Sequence, residues 1–423
     1  MKTSTDRIIT THVGSLGRPH ELLDTLRERE NGRPYDAELL DRQIREAVAD
    51  RVRIQVEMGI DVVTDGEMSK TSFVDYVKDR LGGFEIDEDR SGGLPPSWQA
   101  EVDMFPDYYA EYMGKYSKTV APLRRIKCTG PVTYIGQKAL QTDIDNLKAA
   151  LVGRDVTEVF MPSTTPFSYG RNLHYADEDE FLHALGDAMR VEYQTIVDAG
   201  FILQIDDPAL IDVLTDPTKS VEEREARANL RIDMLNYALR DIPADRIRHH
   251  TCYGLNHGPR LTDVDMAYVA PFMLRVKCTG HSFEVANPRH QHEWEIWKDI
   301  ELPEDRVLIP GFLGHANNYV EHPKLIAQYI LLYAGLVGRE RVIAGADCGF
   351  SSRASYAPEV HPTVAWEKLR ALLTWFMTQN EPHSSKHAVT FGFPRTCMPL
   401  LGPETSSTRA QNEWLHASPI VPS

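Results

Sequence analysis

The 423 residues hold only five cysteines, no long apolar run and no surplus of basic charge. The cysteines stand at 128, 252, 278, 348 and 397, an odd number at irregular spacing. No signal-like apolar stretch follows Met1, so a disulfide framework is not expected, and metal or catalytic use of some thiols is. The longest apolar run, around Tyr329 to Val337, is too short and too interrupted to span a bilayer. A net charge of −16 leaves little to attract nucleic acid or an anionic membrane. These absences point to a soluble, cytoplasmic protein whose partners are small molecules.

What is present is ordinary globular composition, 42% hydrophobic and 26% charged. Residues 7–15 read as a β-branched first strand ending in Gly-Ser. Residues 38–58 read as a helix with Leu40, Ile44, Ala47 and Val48 on one face, stopped by Gly59. An apolar strand, 60–67, follows and ends in Asp65-Gly66-Glu67. The unit recurs as a helix over 178–199, Gly200, and a strand ending at Asp206-Asp207. Further strands are expected at 125–129, 246–250, 281–285, 306–311 and 341–346, with a stretch near 157–161 assigned to an insertion. Eight strands alternating with helices predict an α/β fold, a (β/α)8 TIM barrel. The barrel is expected over residues 1–381. An aromatic-rich insertion, about 84–120, reads either as a small core of its own or as a lid on the barrel mouth. Residues 382–423 form a C-terminal extension that wraps the surface or a neighbour in a homo-oligomer.

Polar residues fall at the strand ends, where barrel enzymes build their sites: His12, Ser15, Glu67, Asp206, His250, Cys252, Glu284 and Cys348. His250 and Cys252 are two apart at the end of an extended segment, so they point to one side. An imidazole and a thiol so placed form half of a zinc site. Glu284 and Cys348, from later strand ends, complete a tetrahedral set. Each has a plainer reading: Cys348 as a small buried hydrophobe, Glu284 as the partner of Arg289 or a lysine.

In this order the chain carries Gly14-Ser15, Asp65-Gly66-Glu67, Thr129-Gly130-Pro131-Val132-Thr133, Gln204-Ile-Asp206-Asp-Pro208-Ala209, His250-x-Cys252, Glu284 and Ala346-Asp347-Cys348-Gly349. From about residue 8 to 350 this set resembles the catalytic barrel of the cobalamin-independent methionine synthase family. The resemblance implies a zinc-dependent barrel that activates a thiol as a thiolate and alkylates it, with His250, Cys252, Glu284 and Cys348 on Zn2+. It also implies that Val13, Ser15, Glu67 and Asp206 hold an amino-acid substrate. Tyr134-Ile-Gly136-Gln137 stands where the family has a folate-stacking Trp, and Gly314-His315-Ala316-Asn317 replaces its Asp-x-His-Ser stretch. Segments 286–294 and 310–323 look more like the single-barrel branch that includes epoxyalkane:coenzyme M transferase.

Three functions follow as expectations: methyl transfer to a homocysteine-like thiol, thiol opening of an epoxide, and a non-enzymatic barrel with structural zinc. Alkylation needs a small-molecule thiol, an alkyl or methyl donor and a general acid for the leaving amine or alkoxide; His315 is the first candidate for the last role and His12 the second.

Overall fold

The computed structural model describes residues 1–87, 94–115, 118–121, 125–166, 170–254 and 258–379. Cys397, Tyr116 and the expected C-terminal extension lie outside the described residues. Eleven strands run in chain order: β1 (Ile9–Thr10), β2 (Val62–Val63), β3 (Leu81–Ile86), β4 (Ile126–Tyr134), β5 (Glu158–Thr164), β6 (Arg171–Asn172), β7 (Ile202–Asp207), β8 (Ile247–Thr251), β9 (Gly280–Glu284), β10 (Val307–Gly311) and β11 (Ile343–Ala344).

Eight of them are parallel and make the barrel. The order β2-β5-β7-β8-β9-β10 forms one hydrogen-bonded sheet, and β11 pairs with β1. Bridges Leu308↔Val342 and Gly311↔Gly345 join β10 to the β11 segment. Side chains close the ring between β1 and β2: the Thr10 N–H donates to Asp61 Oδ2 at 2.9 Å, and Thr11 Oγ1 donates to the Val62 carbonyl at 3.2 Å. Helices alternate with the strands, as the apolar spacing predicts. Ala37–Met58 is capped by the Asp36 carboxylate and ends at Gly59 in the left-handed region; Glu178–Asp198 is capped by Asp177.

Two strand assignments exchange places. The third barrel strand is β5, over the stretch assigned to an insertion, while 125–129 belongs to β4, outside the barrel. Burial explains it. Along β4 buried or half-buried residues alternate with exposed ones, as in a sheet wet on one face, whereas β5 is continuously buried from Phe160 to Thr164. β4 pairs antiparallel with β3 and parallel with β6 in a small separate sheet.

The barrel interior holds its own apolar cluster, Ile9, Val62, Phe160, Ile202, Val307, Ile309 and Ile343, with Met1 packed against it. Above it lies a polar layer. Arg248 stacks on the Phe160 ring at 3.6 Å and donates to Gln204 Oε1 and Thr11 Oγ1 at 2.6 and 2.9 Å. Gln204 in turn donates to Asp206 Oδ1 at 2.7 Å and to the Val13 carbonyl. A larger apolar core fills the space between the strands and the surrounding helices.

The small sheet is tied to the barrel by one buried carboxylate. Glu192 accepts from Tyr76, Tyr134 and Ser163 hydroxyls at 2.7, 2.7 and 2.8 Å and pairs with Arg80 at 3.1 Å. Burial works against its charge, but Arg80 and these donors hold its pKa below the ordinary carboxylate value. The β3–β4 connection carries the insertion, as helices Pro96–Met104 and Pro106–Lys115. Its tyrosines 108, 109 and 112 pack on one another with ring centroids 5.1–5.8 Å apart. Met1–Gln379 makes one compact unit. Among the described residues no helix is long and apolar enough to cross a membrane.

Candidate active site

The C-terminal ends of the barrel strands converge on a narrow niche lined by Val13, Ser15, Glu67, Phe73, Asp206, His250, Cys252, Cys348, Gly349 and Ser352. Seven of the ten residues expected to act are here. Two glycines allow the close approach of these loops. A Cβ on Gly14, whose φ is +141°, would stand 2.8 Å from Glu67 Oε1. One on Gly349 would stand 2.0 Å from Ser15 Oγ.

One side of the niche carries soft ligands. Candidate ligand atoms of His250, Cys252 and Cys348 all lie within 4.8 Å of one another. The two sulfurs are 3.6 Å apart. That is far beyond a disulfide bond of about 2.05 Å, and close to the separation of about 3.8 Å between two thiolates bound tetrahedrally at 2.3 Å. Cys348 is pushed well above the ordinary thiol value, first by its contact with Cys252 and then by burial. His250 Nδ1 meets Ser282 Oγ at 3.3 Å, while its Nε2 is buried without a hydrogen-bond partner. Burial, then the nearby His249 and Arg248, lowers its pKa to about 3, so the imidazole is neutral and able to ligate. An orphaned imidazole nitrogen beside two unbridged sulfurs suits a thiophilic metal ion.

Glu284 is not part of this trio. It groups with His315 and Asp347, whose ligand atoms again lie within 4.8 Å. Its Oε2 faces Arg260 at 3.4 Å and accepts from Asn287 at 3.2 Å; its Oε1 is buried without a partner. The pairing expected with Arg289 does not occur, since that residue is exposed. Arg260 has φ +58°, unusual for a residue with a side chain, and is anchored by Asp263 at 2.7 Å. Asp347 accepts from the Val285 and Ala286 N–H groups at 2.7 and 2.9 Å, which fixes the β9 and β11 ends together.

The other side of the niche is acidic. Glu67 and Asp206 are both buried. Burial, then the Glu67 charge, raises Asp206 well above the carboxylate range. Burial likewise raises Glu67, opposed by Lys70 and Arg18. Glu67 itself sits at φ +60°, and its Oε2 has no hydrogen-bond partner. Backbone strain and an unsatisfied buried oxygen at one residue mark a position shaped for a ligand.

The two histidines differ. His12 is used up: its Nε2 meets Gln55 Oε1 at 2.9 Å and its Nδ1 accepts from the Gly14 N–H at 3.2 Å. Burial lowers its pKa to about 4. It therefore holds the β1 loop in shape. His315 is buried beside Glu284 and Asp347, and burial lowers its pKa as well.

Above the niche a cavity of about 360 Å³ opens outward, sharing Phe73 and Cys252 with it. Trp98 and Met113 of the insertion line it with Ile211, Tyr253 and Pro208. The insertion thus has tyrosines packed together and a wall over the barrel mouth as well. Phe73, Gln204, Arg248 and Arg260 were not singled out as site residues from the sequence. Gln204 had a signal, because alternation along Ile202–Asp207 points it and Asp206 the same way.

Residues 8–151 match the family model of the cobalamin-independent synthase catalytic domain. The chain is similar to methionine synthases over most of its length. A methionine synthase from Sulfolobus acidocaldarius is 22% identical over 341 residues, covering 80% of this chain and 85% of the relative. One from Saccharolobus islandicus (strain L.S.2.15 / Lassen #1) is 25% identical over 348 residues, covering 80% and 87%. The structure of a B12-independent methionine synthase from Shewanella sp. W3-18-1 in complex with selenomethionine superimposes with a TM-score of 0.62 at 16% identity, covering 88% of this chain and 97% of that one. The barrel fold is shared with that synthase.

Proposed function

We propose that this protein is a zinc-dependent methyltransferase that alkylates an amino-acid thiol of the homocysteine kind. The observation that carries the reading is the niche itself, where His250, Cys252 and Cys348 face Glu67 and Asp206 across one small space. One end suits a sulfur-binding metal, the other an ammonium group, and a homocysteine-like molecule has both. The selenomethionine bound by the Shewanella relative is an alkylated molecule of that shape.

Zinc would be held by His250 Nε2 and the two thiolates, with Glu284 as the fourth ligand when it turns from Arg260. Bound there, zinc would stabilise a sulfur anion, so that a thiol with an ordinary pKa of about 8.5 is held as thiolate at neutral pH. Glu67 and Asp206 orient the substrate through its ammonium group. Val13 and Ser15 close the niche around the carbon chain. Arg260, 3.4 Å from Glu284, would keep that buried carboxylate paired whenever it is not on the metal. His315, beside Glu284 and Asp347, carries the proton that the thiol gives up. His12 positions the β1 loop.

The coenzyme M alternative needs a cation for a sulfonate. Arg18 is spent on the carbonyls of Glu67, Lys70 and Ser351, and Arg289 is exposed, which leaves neither for that task. Metal analysis of the purified protein should find about one zinc per chain. Cys252→Ser and Cys348→Ser should lose most of it and all methyl transfer to homocysteine while keeping the parent circular dichroism. Full zinc retention in both variants overturns the reading.

A further inference from the structure

The cavity above Cys252 carries information about the second substrate. Its described lining is largely apolar and includes three aromatic residues, Phe73, Trp98 and Tyr253. Its charged residues are Asp75, Asp212 and Arg353. Arg353 is already paired with Asp75 at 3.2 Å. That leaves Asp212, on the short helix Ala209–Leu214, with a side chain that opens onto the cavity and accepts from Ser97 Oγ at 3.4 Å. Packing of protein around it raises Asp212 to about 6, in spite of Arg231 nearby, so at neutral pH it is mostly a carboxylate, and it stays open to solvent on the cavity side. The floor of the cavity is Cys252, one of the paired sulfurs. Among the described lining residues the walls are therefore apolar and aromatic, and Asp212 is the charge not paired within the lining.

We propose, resting on the thiol-alkylation reading above, that this cavity takes a cationic alkyl donor, a sulfonium or quaternary ammonium ion, with its alkyl group toward Cys252. Aromatic faces and a carboxylate lining one pocket are the chemistry that recognises such onium ions. An anionic donor would meet Asp212 with no free cation among the described lining residues. The reaction balances without an acid at the leaving group. The thiol S–H bond breaks and its proton leaves by way of His315 to solvent. The sulfur lone pair then forms the new S–C bond, and the old C–S or C–N bond breaks toward the heteroatom, which departs neutral.

Choline and 3,3-dimethylbutanol have nearly the same shape and differ in charge, so their binding to the zinc-loaded full chain isolates the effect of the cation. Calorimetry should show choline binding at least about tenfold more tightly. Asp212→Asn should remove most of that preference, and Trp98→Leu should weaken choline as well. Equal binding of the two probes, or a preference untouched by both substitutions, overturns the proposal. Transfer assays with trimethylsulfonium and tetramethylammonium as donors and homocysteine as acceptor then distinguish the two onium classes. Onium preference without thiol methylation from any donor would sink the methyltransferase reading and leave the cavity assignment standing. Methylation only from an uncharged or anionic donor would do the reverse.

Discussion

Asn in place of Asp206 should separate binding from stability in opposite directions. Asp206 lies on the acidic wall of the niche, next to Glu67 and without a cation in hydrogen-bond contact. Its pKa is raised by burial and then by Glu67. The folded protein therefore keeps this proton to higher pH than the unfolded chain. The group favours folding below its unfolded pKa and loses that contribution as pH rises through the folded value. Ionising this carboxylate as pH rises works against burial and the Glu67 charge, and Asp206→Asn removes that cost while its side-chain oxygen still accepts from Gln204. The melting temperature at pH 8 should rise. A bound ammonium loses one charge-assisted contact, a cost of about 1.5–3 kcal/mol. That is about a ten- to hundredfold increase in Kd. Calorimetry with homocysteine at matched zinc content measures the second effect, and a thermal melt without thiol measures the first. A Kd within about twofold of the parent, or a lower melting temperature, would refute the assignment of this wall to an ammonium group.

Arg260→Gln should slow zinc loss to a chelator, because the Glu284 carboxylate loses the partner that competes with the metal; Glu284→Gln should speed it. Arg80→Met leaves the buried Glu192 carboxylate without its counter-ion and should cost about 3–5 kcal/mol in urea unfolding. His290 sits between Asp263 at 3.1 Å and Glu293 at 2.9 Å, and these carboxylates overcome burial to raise it to about 9. Its pairing stabilises fully below about pH 6.5 and is lost as pH rises through 9, a fall of roughly 2–3 kcal/mol that His290→Gln should flatten.

The strand-end chemistry was readable from the sequence because parallel barrel strands are short and their polar ends are abrupt. His250 and Cys252 share a side through simple alternation, and Asp65, two residues before Glu67, and Asp206 recur six residues after a helix-stopping glycine. The exchange of β4 and β5 came from counting strands before weighing their pattern. Ile126-Lys-Cys-Thr alternates, whereas Val159-Phe-Met is a continuous apolar run, the mark of a strand covered on both faces. The position of Glu284 was not readable. It depends on Arg260, 24 residues earlier, in a left-handed backbone conformation that its own residue type does not announce. Arg248 reads as one more basic residue in Arg-Ile-Arg-His-His, and only the closed barrel shows it stacked on Phe160.

The cavity above the niche shares Phe73 and Cys252 with it and adds a wall from a different part of the chain. Strand ends spread from β1 to β11 supply the thiol side, and their spacing is locked by the barrel register. Trp98 and Met113 come from helices in the β3–β4 connection, which that register does not constrain. On the proposed reading, one wall of the donor cavity is thus coded by a stretch of sequence separable from the thiol side. On the same reading, a lineage that rewrote residues 94–115 would change that donor wall and leave the strand-end niche as it is. Divergence within such barrels should therefore run faster in what they take the alkyl group from than in what they give it to.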